Sequence, residues 1–262
     1  MKAAVCALAK MENAYIDDWV RYHLELGFDH IWIYDNNDSD YPYVGDCISD
    51  KDRVTIVDWR DRHFENHTPN KECYDDWLSR NGRDVDWCAF IDIDEFIHLD
   101  GRDLRVWLEN VPREYEGVIL NWHVIGDDGI VEGDESVPVY ERLFKVVDTS
   151  DKILFKTILR CNEMMSAMNP HVFKDKNDVC VNVCDCEYEL PNKNTYSLNV
   201  SGFKEYDCWI NHYATKTISE FLKYKLPRLN KEHRLGGRLD YFYLYNEKDA
   251  DKERYVRENY IL

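Results

Sequence analysis

The sequence predicts an α/β fold, with a mostly parallel, doubly wound central sheet covered by helices on both faces. Three observations predict it. Short, nearly continuous apolar runs recur at 2–8, 30–34, 53–59 and 86–93, the pattern of strands buried on both sides. Stretches of helical periodicity lie between several of them, so strand and helix alternate through the first hundred residues with short connections. The runs end in polar loops, at Lys10, Asp35 and Asp92, and open sheets of this kind bind ligands outside the carboxyl ends of their strands.

The elements follow in order. Lys2 to Leu8 is a buried first strand, followed by the polar turn Lys10-Met11-Glu12-Asn13. Tyr15, Ile16, Trp19, Val20, His23, Leu24 and Leu26 recur at helical spacing, and Gly27 suits the left-handed residue after a helix. His30 to Tyr34 and Arg53 to Trp59 are the second and third strands, Asn70 to Arg80 a helix, and Asp86 to Ile93 the fourth strand. Further on, Asp103 to Asn110 reads as a short helix and Gly117 to Val124 as a strand. Gly126-Asp127-Asp128-Gly129 reads as a turn. Val137 to Val147 and Lys152 to Arg160 are expected as strands. His171 is expected in a short extended piece, and Thr217 to Lys231 as a helix with Ile218, Phe221, Leu222 and Lys225 on one side. Residues 175–207 are irregular and rich in Asp, Asn and Cys. No linker, repeat or low-complexity run divides the chain, so one domain is expected over 1–262.

Composition narrows the function classes. Of 262 residues 44% are hydrophobic, which supports a packed core. Lys plus Arg number 33 against 51 Asp plus Glu, a formal net charge of −18, which argues against a nucleic-acid partner. The same charge disfavours tight binding to anionic lipid, although the Lys and Arg residues between Lys216 and Arg238 leave room for a weak peripheral membrane contact. The apolar start is too short for a signal peptide, and no stretch approaches a spanning helix. Nine cysteines without a framework predict reduced thiols. A cytoplasmic protein is therefore expected, one that would sit at most peripherally on the inner membrane face. Cys180, Cys184 and Cys186 lie close together but match no common zinc spacing, so zinc is not expected there.

The stretch that carries chemistry is Trp87-Cys88-Ala89-Phe90-Ile91-Asp92-Ile93-Asp94-Glu95-Phe96. On a strand Asp92 and Asp94 would point the same way. Two like charges at a core edge ask for a cation between them, and hard oxygen ligands suit Mg²⁺ or Mn²⁺ bridging to nucleotide phosphates. An acidic loop after a core strand is the alternative, since an Asp-x-Asp is short and common.

Four pieces together resemble a GT-A glycosyltransferase of the family 92 or bacterial family 2-like type. They are Lys10-Met11-Glu12-Asn13 with Asp18-Trp19-Val20-Arg21-Tyr22-His23, Leu26-Gly27-Phe28-Asp29-His30 and Tyr34-Asp35-Asn36; Asp86-Trp87 with Phe90 to Phe96; Trp122-His123-Val124-Ile125-Gly126; and Asn211-His212-Tyr213-Ala214-Thr215-Lys216-Thr217 with Glu220-Phe221 and Lys225. The family usually has an aromatic at Ile125 and often Ser at Thr217. The resemblance implies a GT-A, Rossmann-like nucleotide-diphospho-sugar transferase fold and a nucleotide-sugar donor, with UDP-galactose foremost. It implies a glycan or lipid-linked saccharide acceptor, inversion, and a division of the domain into a nucleotide-binding half over 1–100 and an acceptor-binding half with C-terminal helices over 101–262. It further implies that Asp94 ligates a divalent metal, that Asp92 reaches the ribose or the metal, and that His212 is a further metal ligand. An Asp/His set favours Mn²⁺ over Mg²⁺. In similar folds an acid placed like Asp35 accepts the uracil N3–H, or it holds ribose hydroxyls; a loop acid capping its own backbone is the other reading. Lys10 and Glu12, on the first loop, either reach the base or ribose or are merely solvated; Lys216 would add a point charge for the diphosphate, and Glu95 would orient a ligand or backbone group.

An inverting transferase also needs a base near the acceptor hydroxyl. Asp127 and Asp128 are the candidates, with Glu132 and Glu163 behind them, and Trp122 and His123 either shape the acceptor pocket or pack in the core. Two rival readings remain. A nucleotidyltransferase would want a glycine-rich, basic first loop, which Lys10-Met11-Glu12-Asn13 is not. A non-catalytic carbohydrate-binding or scaffold protein would also carry many aromatics.

Overall fold

The structure is a computed structural model that describes residues 1–62, 64, 69–148, 155–185, 200–202, 208–228 and 235–260. Among the described residues twelve strands follow in chain order: β1 (Ala3–Ala9), β2 (His30–Asp35), β3 (Val54–Asp58), β4 (Trp87–Phe90), β5 (Glu95–His98), β6 (Gly117–Val124), β7 (Phe155–Arg160), β8 (Ser166–Ala167), β9 (Phe173–Lys174), β10 (Val183–Asp185), β11 (Val200–Gly202) and β12 (Trp209–His212). The helices are α1 (Ile16–Leu26), α2 (Pro69–Asn81), α3 (Leu104–Asn110), the single turn α4 (Ile218–Glu220), α5 (Leu235–Tyr243) and α6 (Ala250–Asn259).

The main sheet runs β11-β10-β6-β7-β4-β1-β2-β3, and β12 pairs with both β5 and β6 away from that path. Strands β3, β2, β1 and β4 are mutually parallel, and β7 is antiparallel to both its neighbours, β4 and β6. A mixed α/β chain on a large, mostly parallel sheet agrees with the predicted class. The period of two in β1 shows how both faces are covered: Ala3, Val5, Ala7 and Ala9 pack into the core under α1, while Ala4 and Cys6 pack into the one under α2. Each core takes up a helix stripe, Ile16, Trp19, Val20 and Leu24 on one side and Cys73, Tyr74, Trp77 and Leu78 on the other. α1 ends at Gly27, whose φ of 116° is open to glycine and whose N–H bonds back to the last turn. α3 begins where Asp103 accepts the amides of Arg105 and Val106.

Three expectations need correction. The fourth strand stops at Phe90, because Ile91–Asp94 turns: the Glu95 N–H donates to the Asp92 carbonyl at 3.1 Å, and the Asp92 N–H donates to Glu95 Oε2 at 2.9 Å. Asp92 and Asp94 therefore sit in a turn between β4 and β5, not side by side on a strand. Val137 to Val147 is not a strand; Val139–Glu141 is a 3₁₀ turn that follows Pro138, and Val139 and Leu143 are buried with helical rather than alternating spacing. The helix from Thr217 is broken into α4, a π turn at Phe221–Lys225 and a 3₁₀ turn at Leu226–Arg228, the last containing Pro227. The end of that helix at 229–231, the start of the strand at 152–154 and Cys186 lie outside the described residues. Cys184 Sγ donates to the Gly117 carbonyl, and Cys180 Sγ contacts Met168 Sδ at 3.5 Å. Among the described residues no helix is long and apolar enough to cross a membrane.

α1 is also tied to the β5 edge through His23. Its Nδ1 lies 2.9 Å from the Trp19 carbonyl and so carries the hydrogen, and its Nε2 accepts the Ile97 N–H at 3.4 Å. Burial pushes this imidazole from 6.5 down to about 3, with the Trp19 carbonyl opposing. The unfolded chain therefore takes up the proton first. The stability contributed by neutral His23 is full above pH 6.5 and is lost as pH falls toward about 3. Urea unfolding from pH 7 to pH 4 should show a loss of up to about 1.4 kcal/mol per pH unit from this group. His23→Gln should flatten that slope, and parallel profiles for the two proteins would show that the group does not titrate this way.

Candidate functional site

The acids of the β4–β5 turn meet the late part of the chain because β12 docks antiparallel on β5. The register sets His212 against Glu95, and the Tyr213 N–H donates to the Asp94 carbonyl at 2.8 Å. His212 Nε2 then lies 3.6 Å from Asp94 Oδ1, beyond hydrogen-bond length, with both side chains nearly buried. The other ring nitrogen, Nδ1, is buried and has no hydrogen-bond partner among the described residues. Trp122 stands on the same face, its ring 4.1 Å from that of His212. Its neighbour His123 points to the opposite face and stacks on Trp209 at 4.8 Å.

Around this pair each acid has a cation. Lys225 Nζ lies 2.8 Å from Asp94 Oδ2. Burial opposes the Asp94 charge, yet Lys225 and then His212 outweigh it and hold the carboxyl well below the usual range. Asp92 Oδ2 takes Lys156 at 2.8 Å and Oδ1 takes Asn70 Nδ2 at 3.0 Å, so both oxygens are engaged. Glu95 is fully buried, 3.7 Å from the same Lys156, and its Oε1 has no hydrogen-bond partner among the described residues. Burial pushes the Glu95 carboxyl well above its usual range. Glu12 pairs with Arg228 at 2.5 Å and with Lys216 at 3.7 Å, and Arg228 also donates to the Lys10 carbonyl at 2.6 Å. Lys216 Nζ stands 4.2 Å above the Tyr15 ring. Met11 and Lys216 both have φ of +56°, a strained backbone for non-glycine residues of the kind that gathers at functional sites.

The residues expected from the sequence thus separate into two groups. The structure brings Asp92, Asp94, His212, Glu95, Glu12 and Lys216 into one cluster. Lys10 turns its side chain outward to Asp38 at 3.0 Å, leaving its carbonyl at the cluster. Asp35 is fully buried, and its two oxygens accept the amides of Asn37 and Val44, each at 3.0 Å, which is the loop-capping arrangement. Asp127 accepts the Gly129 N–H at 2.9 Å and pairs with the buried Lys252 at 2.7 Å. Asp128 accepts the amides of Phe144 and Lys145 at 2.8 and 2.7 Å. Among the described residues neither acid hydrogen-bonds or ion-pairs with Asp92, Asp94 or His212. Glu163 pairs with Arg83, and Glu132 lies beside Tyr255 on α6.

Sequence reasoning missed Lys156, Arg228, Asn70 and His171. Lys156 had a usable signal, a single cation inside the apolar run Phe155-Lys156-Thr157-Ile158-Leu159, where burial demands a partner acid.

The donor set admits a divalent ion between Asp94 Oδ1 and His212 Nε2. Their separation matches two ligands each about 2.1 Å from a shared ion. Among the described residues no three His, Cys, Asp or Glu side chains converge enough to hold an ion alone. Substrate oxygens and water would have to complete such a site, as they commonly do for ions bound together with phosphates.

A family model described as Glycosyltransferase family 92 matches residues 3–222. A glycosyltransferase family 92 protein of Ricinus communis is 26% identical over 136 residues, 48% of this chain and 23% of that protein. One of Oryza sativa subsp. japonica is 28% identical over 112 residues, 42% of this chain and 18% of that protein. These matches span about a quarter or less of the relatives' length. The crystal structure of HddC from Yersinia pseudotuberculosis is 13% identical with a TM-score of 0.31, covering 62% of this chain and 74% of that one, too distant to carry an argument.

Lys156 is the hinge of the cluster's charge balance. Burial works against its ammonium, and Asp92 and Glu95 outweigh that and hold its pKa above the usual lysine range. Lys156→Met should lower stability by about 3 kcal/mol in urea unfolding at pH 7, near the low end for breaking a buried pair, because Asp92 is a third exposed and can rehydrate. Adding Glu95→Gln should restore part of the loss. A loss below about 1 kcal/mol would show that the pairing is not a buried one.

Proposed function

Because the chain belongs to glycosyltransferase family 92, we propose that it transfers a hexose, galactose foremost, from a UDP-sugar to a glycan or lipid-linked saccharide. The proposed architecture is GT-A and the proposed outcome is inversion. The observation that supports this best is the facing pair of Asp94 Oδ1 and His212 Nε2, 3.6 Å apart, inside a cluster rich in cations.

Asp94 and His212 would hold Mn²⁺ or Mg²⁺, and the mixed oxygen and imidazole set favours Mn²⁺. Such an ion supplies positive charge where the diphosphate leaves. Lys225 keeps Asp94 ionised and aims it by fixing Oδ2. Lys216 and Arg228, both now balanced by Glu12, offer their remaining donors to phosphate oxygens, and the guanidinium can do so in forked fashion. Asp92, a third exposed and steadied by Lys156 and Asn70, would reach the ribose hydroxyls or the metal. Preorganised charges of this kind stabilise the departing diphosphate more than the bound donor, which is what accelerates transfer.

The test is hydrolysis of UDP-galactose and other UDP-sugars with Mn²⁺ present. EDTA should abolish it, and Asp94→Asn and His212→Ala should each lower it by at least about 10²-fold, the size of effect seen when one preorganised charge-stabilising group is lost. Full activity in all three cases would remove the metal mechanism.

A further inference from the structure

The proposed transfer still requires a group that takes the proton of the incoming hydroxyl. Asp127 and Asp128 are committed to Lys252 and to backbone amides. Within the cluster, Asp92, Asp94 and Glu12 hold lysine or arginine partners, and Glu95 is sealed from solvent. His171 is different. Its Nδ1 lies 2.7 Å from the Phe155 carbonyl oxygen, which can only accept. Nδ1 therefore carries the hydrogen, and the neutral ring has its lone pair at Nε2.

The residue is fixed from several sides. Its N–H donates to Asn169 Oδ1 at 2.8 Å, and its carbonyl accepts Thr157 Oγ1 at 2.6 Å. Its ring stands edge-on to Trp122 at 5.7 Å, and Trp122 in turn lies on His212. It also feels the charges of the site. Burial and then Lys156 push the imidazole down to about 4, with Asp92 opposing and His212 adding to the fall. The residue is partly exposed, and through Trp122 its ring stands beside the cluster. An imidazole whose far nitrogen is fixed by a carbonyl is the arrangement of an oriented base.

Resting on the transfer reading above, we propose that His171 is the base that accepts the proton of the acceptor hydroxyl. In this step the acceptor oxygen bonds to the anomeric carbon. The bond from that carbon to the diphosphate oxygen breaks, and its electron pair leaves with the diphosphate. The hydroxyl proton passes to His171 Nε2. The imidazolium so formed is steadied by the Asp92 carboxylate and returns its proton to water when the products depart. A metal-binding histidine can make the same carbonyl bond. However, among the described residues no third such side chain joins Asp94 and His212 closely enough to share an ion.

His171→Asn tests this, because asparagine keeps a donor for the Phe155 carbonyl and removes Nε2. The variant should keep the wild-type unfolding midpoint and the wild-type Mn²⁺ affinity in the presence of UDP, read by electron paramagnetic resonance. Its hydrolysis of UDP-galactose should fall by about 10²- to 10³-fold. Sodium azide, an anionic nucleophile that brings no proton, should restore turnover and give galactosyl azide. Unchanged hydrolysis, a parallel loss of Mn²⁺ affinity, or a folded, Mn²⁺-binding variant that azide does not rescue would each overturn the proposal. A wild-type protein that leaves every UDP-sugar intact would instead overturn the transfer reading on which it rests.

Discussion

The insertion of β12 between β5 and β6 is the constraint on which the site depends. Its antiparallel ladder to β5 and its parallel ladder to β6 fix His212 in depth and in facing. The chain is closed on both sides, because Tyr213 donates to the Asp94 carbonyl and the His212 carbonyl accepts Ile125. A slip of one residue would turn the imidazole to the opposite face, away from Asp94 and toward the side occupied by His123 and Trp209. β5 is itself hung from α1: Trp19 Nε1 donates to the Glu95 carbonyl at 2.8 Å and Tyr22 Oη donates to the Ile97 carbonyl at 2.9 Å. The position of an acid near the middle of the chain and of a histidine far beyond it is thus set by the first helix.

Electrostatically the cluster differs from its surroundings. The chain carries a formal net charge of −18, yet Glu12, Asp92, Asp94 and Glu95 face as many cations in Lys156, Lys216, Lys225 and Arg228. Because burial shifts Glu95 toward its neutral form, the balance at the cluster tips to the positive side. A diphosphate would therefore meet a local field opposite in sign to that of the whole protein. The average composition argues against nucleic acid, but it says nothing about the charge of a single cluster.

The parts of the fold legible in the sequence were those built from contiguous residues. The apolar runs of β1, β2 and β4, the stripe of α1 with Gly27 behind it, and the cap Asp103 all act within a few positions of each other. What was not legible depends on distant partners. β5 is hidden because Glu95 opens it and looks like the end of an acidic loop, whereas its pairing strand arrives only at Trp209. Val137 to Val147 misled because its valines suggest a strand, while Pro138 and the spacing of Val139 and Leu143 favour a turn. For the site, Asp94, His212 and Lys216 were expected from the family resemblance, but the pairing of each acid with its cation was not legible, since which acid meets which cation is decided by packing.

The segment after β12 shows how backbone irregularity delivers two of those cations. Thr217 and Glu220 form a capping box, and Glu220 also receives Tyr15 Oη at 3.0 Å and a fork from Arg142 at 2.9 and 2.5 Å. Glu220 therefore pins the start of the segment to both α1 and the turn after Pro138. Beyond this anchor the chain does not continue as an α-helix. The π turn at Phe221–Lys225 takes in one extra residue, and each residue of a regular helix advances by about 100°. The phase of everything that follows is shifted by that amount. The 3₁₀ turn then keeps three residues per turn, so Lys225 and Arg228 stay on one side and reach Asp94 and Glu12 respectively. An uninterrupted α-helix from the same anchor would put Lys225 out of line with Asp94. The irregular turns are thus tied to the placement of positive charge, and the buried Glu220 is the group that holds the start of the segment to that phase.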